Sequence, residues 1–340
     1  MVRFGVLGTG RIAHDFVSSF KNVNGSEIVS VGSRNKADAQ KFAEEHNIPN
    51  YGTYDELVSD KHVDVVYIAT PHSTHCANTL LALNANKHVL CEKTFAMNTK
   101  QAKEMVETAK NKNLFIMEAN WMLCFPLIQK TLQMVKEGVI GDVQMLHASL
   151  GFNSEGRELD LKMGGGSLLA CGIYPITFAT VLFGAAPSEI QASGSLAHNG
   201  ADEQVSITLT YNECRHDGSI KKKIAILSSS FCSWIPSDAV IIGSKGTIRI
   251  NDLFVCPNKI TISVMGRPDN VIEEPFPVND SKFNFPNSQG LSYEADHVAK
   301  CIQGGLKESY LVPTELTLRN MNIIDRVREI IGLKFDEDSC

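Results

Sequence analysis

The sequence has no Cys-x-x-Cys pair among its nine cysteines, no low-complexity run and no internal repeat. An odd number of cysteines without metal-type spacing is typical of reduced thiols, so we expect neither a disulfide scaffold nor a metal site. The first residues enter an apolar strand directly, without a secretory hydrophobic region, and no apolar run approaches the length that spans a membrane. These absences predict a cytoplasmic protein with no membrane partner.

The sequence also lacks a large excess of either positive or negative charge. The net charge is -6, and the basic residues are scattered apart from a lysine triplet at 221–223. Such a surface does not attract nucleic acid, so the expected partner is a small-molecule substrate. With 340 residues, 43% of them hydrophobic, the chain is long enough for two domains of ordinary size.

A short apolar strand near the N-terminus runs into Gly8-Thr9-Gly10-Arg11-Ile12-Ala13 and then into an amphipathic segment. The order strand, Gly-x-Gly-x-x-Ala and helix is typical of a turn that binds a dinucleotide. Gly8 allows the tight turn and Gly10 the close approach of backbone to the diphosphate, while N–H groups of the helix donate to the anion. Ordinary glycine turns share this pattern, so the surrounding sequence has to decide whether this turn binds a dinucleotide.

Strand-like and helical segments alternate between residues 2 and 117, which predicts a doubly wound parallel sheet with helices on both faces. From residue 189 to 264, strand-like segments follow one another without helices, which predicts a mainly antiparallel sheet. The predicted fold class is therefore α/β, with a Rossmann domain at 1–124 and an α+β domain at 125–340. The second domain is expected to bind the substrate and to form a homodimer through the open face of its sheet.

In parallel sheets, ligands bind beyond the carboxyl ends of the strands. The candidate cofactor-binding residues are therefore Gly8, Thr9, Gly10, Arg11, Ile12, Ser33, Arg34, Thr70, Pro71, His72, His75, Glu92, Lys93, Asn120 and Trp121. Where domains that prefer NAD carry an acid, this chain has Ser33-Arg34, and a hydroxyl followed by a guanidinium suits a 2′-phosphate. A solvated turn has the same composition. The pattern favours NADP, with NAD the less favoured alternative.

Two residues are candidates for proton transfer. Lys93 follows an apolar strand, where it is either a solvated loop residue or a donor held in a half-dry crevice. Tyr174 follows a glycine run at 164–166, and it is either a core tyrosine or a phenol that exchanges a proton with the substrate. His72 and His75 lack a credible third ligand for a metal ion.

Together these motifs resemble the glucose-fructose oxidoreductase family (Gfo/Idh/MocA). Within that family, the chain is similar to the dimeric dihydrodiol dehydrogenases, also described as NADP-dependent D-xylose 1-dehydrogenases. The similarity extends over nearly the whole chain and is carried by residues 8–13, 69–75, 88–93, 117–121, 164–174 and 292–295.

The resemblance implies an NADP-dependent oxidoreductase that acts on a carbinol or carbonyl of a cyclic substrate, either a trans-dihydrodiol or an aldopyranose such as D-xylose. It implies that Tyr174 exchanges the proton, that Lys93 lowers the pKa of Tyr174 and touches the ribose, and that Glu92 orients Lys93. His72 and His75 are implied to lie along the diphosphate and the nicotinamide ribose.

The candidates for an apolar wall against the substrate are aromatic residues, each of which is also a common core residue: Trp121, Phe125, Tyr174, Phe254 and Phe285. Three positions depart from the family pattern. Thr94 replaces a proline, which removes a rigid and sometimes cis link after the lysine. Ala170 replaces an aspartate, and Leu123 replaces an arginine that is common in the branch of the dihydrodiol dehydrogenases. The lost charges favour a less polar substrate, and they leave open a dinucleotide-binding regulator or a reductase of conjugated double bonds.

Overall fold

The computed structural model describes residues 1–154, 156–214, 218–251 and 253–339. It forms two compact units, Met1–Cys124 with Phe276–Thr317, and Phe125–Pro275 with Leu318–Cys340. The predicted boundary, 1–124 and 125–340, is therefore wrong for residues 276–317. These residues return to the first unit because the helix Leu291–Gln303 packs on its first strand and first helix.

The α-helices are α1 Arg11–Ser19, α2 Lys36–His46, α3 Tyr54–Ser59, α4 His75–Asn84, α5 Thr99–Asn111, α6 Pro126–Lys136, α7 Ile173–Phe183, α8 Leu291–Gln303 and α9 Thr314–Ile331. The strands are β1 Val2–Leu7, β2 Ser26–Gly32, β3 Asn50–Gly52, β4 Val65–Ile68, β5 His88–Glu92, β6 Ile116–Ala119, β7 Val143–Gly151, β8 Glu189–Leu196, β9 Asp202–Cys214, β10 Ile220–Ser230, β11 Ala239–Gly243, β12 Gly246–Ile250, β13 Lys259–Val264 and β14 Asn270–Glu273.

The sheet of the first unit has the order β3-β2-β1-β4-β5-β6, and every strand pair in it is parallel. This is the order of a doubly wound dinucleotide-binding sheet. All four residues of β4 are buried, because helices cover both faces of such a sheet. The predicted Rossmann architecture is confirmed, although the three-residue strand β3 is too short to give a periodic signal in the sequence.

The sheet of the second unit has the order β14-β13-β12-β11-β7-β10-β9-β8. Its pairs are antiparallel except β7 with β10, which run parallel. Along β9 the apolar side chains of Val205, Ile207 and Leu209 are buried, whereas Gln204 before them and Ser206 among them are exposed. This alternation places one face of the sheet on the core and leaves the other open, as predicted.

One helical run among the described residues, Leu161–Phe183, has the length and composition of a membrane span, contrary to the expectation from the sequence. Within its most apolar window, 78% of the run is buried inside the protein. It begins with short turns, passes through a π-helical turn at Leu168–Gly172 and continues as α7. We therefore assign this run to the core of the second unit.

Candidate active site

The turn after β1 has the shape that a diphosphate site requires. Gly8 has a φ of 117°, and a Cβ at this position would collide with the carbonyl oxygen of Ala69. Gly10 is extended and caps α1, and the space that its Cβ would enter is open to 4 Å. Since the first turn of α1 carries no acidic residue, its backbone N–H groups face an open cradle suited to an anion.

Arg11 leaves this turn and meets a segment from far along the chain. Its guanidinium lies 4.5 Å from the centre of the Phe285 ring, and Nη2 lies 3.5 Å from the carbonyl oxygen of Asn284. The buried carboxylate of Asp15 holds that segment by accepting from the backbone N–H groups of Asn284 and Phe285, at 2.8 and 2.9 Å. The ring predicted to form a substrate wall therefore lies beside the dinucleotide turn, 37% exposed.

The end of β2 carries the residues that bear on the choice between NADP and NAD. Ser33 is buried and its N–H donates to the carbonyl of Gly52, at 3.0 Å, which fixes the chain direction before Arg34. Arg34 is exposed. The next residue, Asn35, caps α2 through its side chain. Ser33 and Arg34 thus lie at the sheet edge where a ribose would bind, and no acid takes the place of either.

His75 joins the loops that follow β4 and β5. It is fully buried, and its Nδ1 and Nε2 lie 2.8 Å from the carbonyl oxygens of Thr94 and Thr70. Burial lowers the pKa of His75. We therefore assign His75 the positioning of the two loops in place of the predicted contact with the cofactor. His72, whose ring centre lies 5.6 Å from that of His75, remains at the partly exposed edge beside Pro71.

The carboxylate beside Lys93 is buried. Glu92 accepts from the Tyr67 hydroxyl at 2.5 Å, and burial raises the pKa of Glu92 to about 7 although Tyr67 and Lys93 oppose the rise. Lys93 itself is half-buried at the end of β5. The peptide bond from Lys93 to Thr94 is cis. The prediction that threonine in place of proline removes a cis link at this position is therefore wrong.

Two further buried carboxyl groups lie in the first unit, and the sequence analysis assigned neither a role. Glu118 accepts from the N–H of Phe95 at 3.1 Å and from the Thr317 hydroxyl at 3.0 Å, and burial raises its pKa to about 7. Glu294 on α8 is fully buried, and neither of its oxygens has a hydrogen-bond partner among the described residues. Burial, followed by the charges of Glu92 and Glu118, raises the pKa of Glu294 well above its ordinary value.

These carboxyl groups could have been suspected from charged residues inside apolar runs. Glu118 lies within the otherwise apolar strand β6, and Glu294 lies among the buried positions of α8, most of which are apolar. The sequence alone could not predict that the carboxyl groups of Glu118 and Glu294 lie near each other, because Glu294 comes 176 positions after Glu118 in the chain.

The remaining predicted residues divide between the two units. Thr70 lies at the edge of the first unit, where its hydroxyl accepts from Asn78 at 3.1 Å. Asn120 and Trp121 are buried just past β6 in the same unit. In the second unit, Phe125 is buried at the start of α6 and Tyr174 lies in the first turn of α7.

Tyr174 is 6% exposed, so most of its phenol ring packs inside the second unit. Phe254 is fully buried there, with its ring centre 6.1 Å from that of Phe178. The structure therefore gives Phe254 a core position in place of the predicted substrate contact. The pairing of Lys93 with Tyr174 stays a prediction.

Two protein-family models match the chain. The oxidoreductase family model with an NAD-binding Rossmann fold, GFO/IDH/MocA, matches residues 2–119. The GFO/IDH/MocA C-terminal domain model matches residues 128–249. Together these two models match the greater part of both compact units.

Curated relatives match the whole chain. A trans-1,2-dihydrobenzene-1,2-diol dehydrogenase from Danio rerio is 35% identical over 99% of this chain and 99% of its own length. One from Mus musculus is 36% identical with the same coverage. Among solved structures, an aldose-aldose oxidoreductase from Caulobacter crescentus has a TM-score of 0.84 at 22% identity, covering 97% of each chain. A 3-ketoreductase from Actinomadura kijaniata, in complex with TDP-benzene and NADP, has a TM-score of 0.79 at 24% identity, covering 97% of this chain and 98% of its own.

The buried carboxyl groups predict how stability depends on pH. Between the ordinary carboxyl pKa and a raised one, the folded chain holds a proton that the unfolded chain releases, so this contribution is full at low pH and is lost as pH rises. Glu294→Gln keeps the shape and removes the charge. We expect the variant to lose less unfolding free energy than the wild type between pH 5 and 8, with a difference of about 1.4 kcal/mol for each pH unit by which the raised pKa of Glu294 extends into that window.

Urea unfolding at several pH values measures this difference. Glu104→Gln, at an exposed position on α5, is the matched control and should follow the wild type. Equal pH dependence in the Glu294→Gln variant and the wild type would contradict a protonated buried carboxyl at this position.

Proposed function

The chain belongs to the GFO/IDH/MocA oxidoreductase family, and we propose that it is an NADP-dependent enzyme that moves hydride between nicotinamide and a carbinol or carbonyl of a cyclic substrate. The substrate would be a trans-dihydrodiol or an aldopyranose such as D-xylose. The observation that carries this proposal is the full-length similarity to trans-1,2-dihydrobenzene-1,2-diol dehydrogenases. The proposal places the enzyme in the cytoplasm.

The residues of the first unit fit the proposed dinucleotide. Gly10 leaves room for the diphosphate against the N–H groups of α1, and a side chain at this position would fill that room. Ser33 and Arg34 would hold the 2′-phosphate, because a guanidinium can bind it through two parallel hydrogen bonds. A carboxylate, which would accept from the ribose of NAD and repel this phosphate, is missing from these two positions.

The bound nicotinamide would supply or accept the hydride. Lys93 would donate to the ribose and favour proton loss from Tyr174, whose phenol would exchange the proton with the substrate oxygen. Glu92 supports this assignment through its hydrogen bond with Tyr67, which fixes the carboxyl next to the lysine in the chain. His75 would keep the loops that carry Thr70 and Thr94 at a constant separation.

The proposed substrate is less polar than those of many family members. Leu123 and Ala170 stand where the family pattern has an arginine and an aspartate, so two charges are missing from the predicted pocket. A pocket without these charges costs less to desolvate around a hydrocarbon ring. This comparison favours a less polar ring substrate within the proposed class.

We also propose that the chain forms a homodimer through the open face of the second sheet. Ile226 on β10 is 42% exposed there. Its direct register partners are His147 on β7 and Thr208 on β9. Half-buried apolar residues lie at nearby positions of β7, β10 and β11, namely Met145, Ile224, Val240 and Ile242. A second copy of the same face would remove this patch from water, and a twofold interface needs no further partner.

Lys93→Met and Tyr174→Phe test the proton chemistry. Reduction of NADP with dihydrodiols and aldoses, and oxidation of NADPH with dicarbonyls, are both followed by absorbance and should show turnover in the wild type. Each variant should lose about 100-fold or more, since proton transfer by a positioned group contributes this much, while NADPH still binds. Lys103→Met, an exposed lysine on α5, should keep full activity. A wild type that binds NADPH but turns over nothing would instead indicate a regulator, and full activity in Lys93→Met would refute the assigned role.

Arg34→Ala tests the choice of cofactor. Loss of hydrogen bonds to a charged phosphate should weaken NADPH binding by about 1.5–3 kcal/mol, roughly 10- to 100-fold, and leave NADH binding little changed. Fluorescence titration with both dinucleotides measures the ratio. Arg267→Ala, at an exposed position after β13, is the control. An equal loss for NADPH and NADH would remove the basis for NADP preference.

Ile226→Glu tests the dimer. A carboxylate on this face of the sheet should shift the sedimentation profile from dimer to monomer, because the charge would have to lose its water at the interface. Ile220→Glu, at the exposed start of the same strand, should leave the dimer intact. A wild type that sediments as a stable monomer at low concentration would refute the proposal.

A further inference from the structure

The two helices nearest the glycine turn bring together two histidines and a glutamate. His14 lies on α1, and Glu45 and His46 form the end of α2. The possible ligand atoms of these three residues all lie within 4.8 Å of one another. His-x-x-His at 72–75 was the metal pattern that the sequence offered, whereas this cluster joins positions 31 and 32 residues apart and has no sequence signature.

The geometry needs only a small closure to hold an ion. Nε2 of His14 lies 3.8 Å from Oε1 of Glu45, and the two imidazole ring centres are 4.8 Å apart. Ligands about 2.1 Å from a tetrahedral ion are separated by about 3.4 Å, so side-chain rotation can supply the difference. Glu45 is exposed and can make this rotation.

The two histidines are already oriented. Nδ1 of His14 contacts the carboxylate of Asp15 at 3.2 Å, and that fully buried carboxylate is itself fixed by the Ser288 hydroxyl at 2.7 Å. A carboxylate on one imidazole nitrogen leaves the other to bind a metal, which is the usual support of a metal-bound histidine. The ring of His46 packs against Phe42, with centres 4.5 Å apart.

His46 supplies the observation that points to a ligand. Its Nε2 is buried from solvent and has no hydrogen-bond partner among the described residues. A buried polar atom without a partner is unfavourable, and a bound ion would satisfy it.

We propose that His14, Glu45 and His46 form a binding site for a divalent transition metal such as Zn²⁺. Two imidazoles and one carboxylate are donors that Zn²⁺ accepts, with the fourth position left to water. Mg²⁺ and Ca²⁺ are disfavoured because they require oxygen ligands. The ion would tie α2 to α1 beside the diphosphate cradle and stabilise the folded state. Glu45 also borders a cavity of about 250 Å³ with Thr9 and Lys41.

The test is Zn²⁺ titration of the full chain after treatment with a chelator. The wild type should bind one ion at this site, and Zn²⁺ should raise its melting temperature. His46→Ala and Glu45→Ala should weaken binding by more than about 10-fold, since even the loss of a group that supports a ligand has this effect. The matched controls are His62→Ala, an exposed histidine that contacts the carboxylate of Asp60, and Glu44→Ala, an exposed neighbour of Glu45. Both controls should bind Zn²⁺ as the wild type does.

Co²⁺ distinguishes this site from the cysteines. Binding through imidazole and carboxylate gives weak visible bands, whereas thiolates give intense near-ultraviolet bands. Circular dichroism of the metal-free variants checks folding, and the exposed position of Glu45 allows its variant to fold even if His46→Ala does not. Absence of Zn²⁺ binding in the wild type, thiolate bands with Co²⁺, or equal affinity in Glu45→Ala and Glu44→Ala would each overturn the proposal.

Discussion

The constraint on which the structure depends is that backbone must come close to a doubly charged diphosphate at the edge of a parallel sheet. Such an approach requires glycine at the closest positions, and Gly8 meets the carbonyl of Ala69 so closely that no Cβ fits. Gly10 then opens the cradle in front of α1. Because the N–H groups of α1 form the positive end of the helix dipole, the site needs no basic side chain directly at the turn.

Polar side chains that are almost completely buried support the same edge of the sheet. His75 links the loops after β4 and β5, and Glu92 and Glu118 fix the residues around Lys93. Burial raises the pKa of both carboxyl groups to about 7, so this layer costs stability as pH rises. A core built for stability alone would have apolar residues here, and the buried polar layer is consistent with the catalytic role that we propose for Lys93.

The sequence predicted most of the first unit, because parallel strands buried on both faces and a glycine turn leave strong local signals. It also predicted the second, mainly antiparallel sheet, because strand-like segments follow one another there without helices. It failed where the determining contacts are distant in the chain. Residues 276–317 return to the first unit, Phe285 meets Arg11 across 274 positions, and Phe254 packs in a core. No local pattern encodes such contacts, and a buried phenylalanine has the same signature as one that lines a pocket.

The central claim is that the edge formed by Gly8, Gly10 and Lys93 binds a nicotinamide dinucleotide. Fluorescence titration of the wild-type chain with NADPH, with Gly10→Val as the filled-cradle variant, tests it most directly. The account predicts saturable binding by the wild type and its loss in the variant, whose side chain would occupy the space in front of α1. Undiminished binding by Gly10→Val, or none by the wild type, would contradict it.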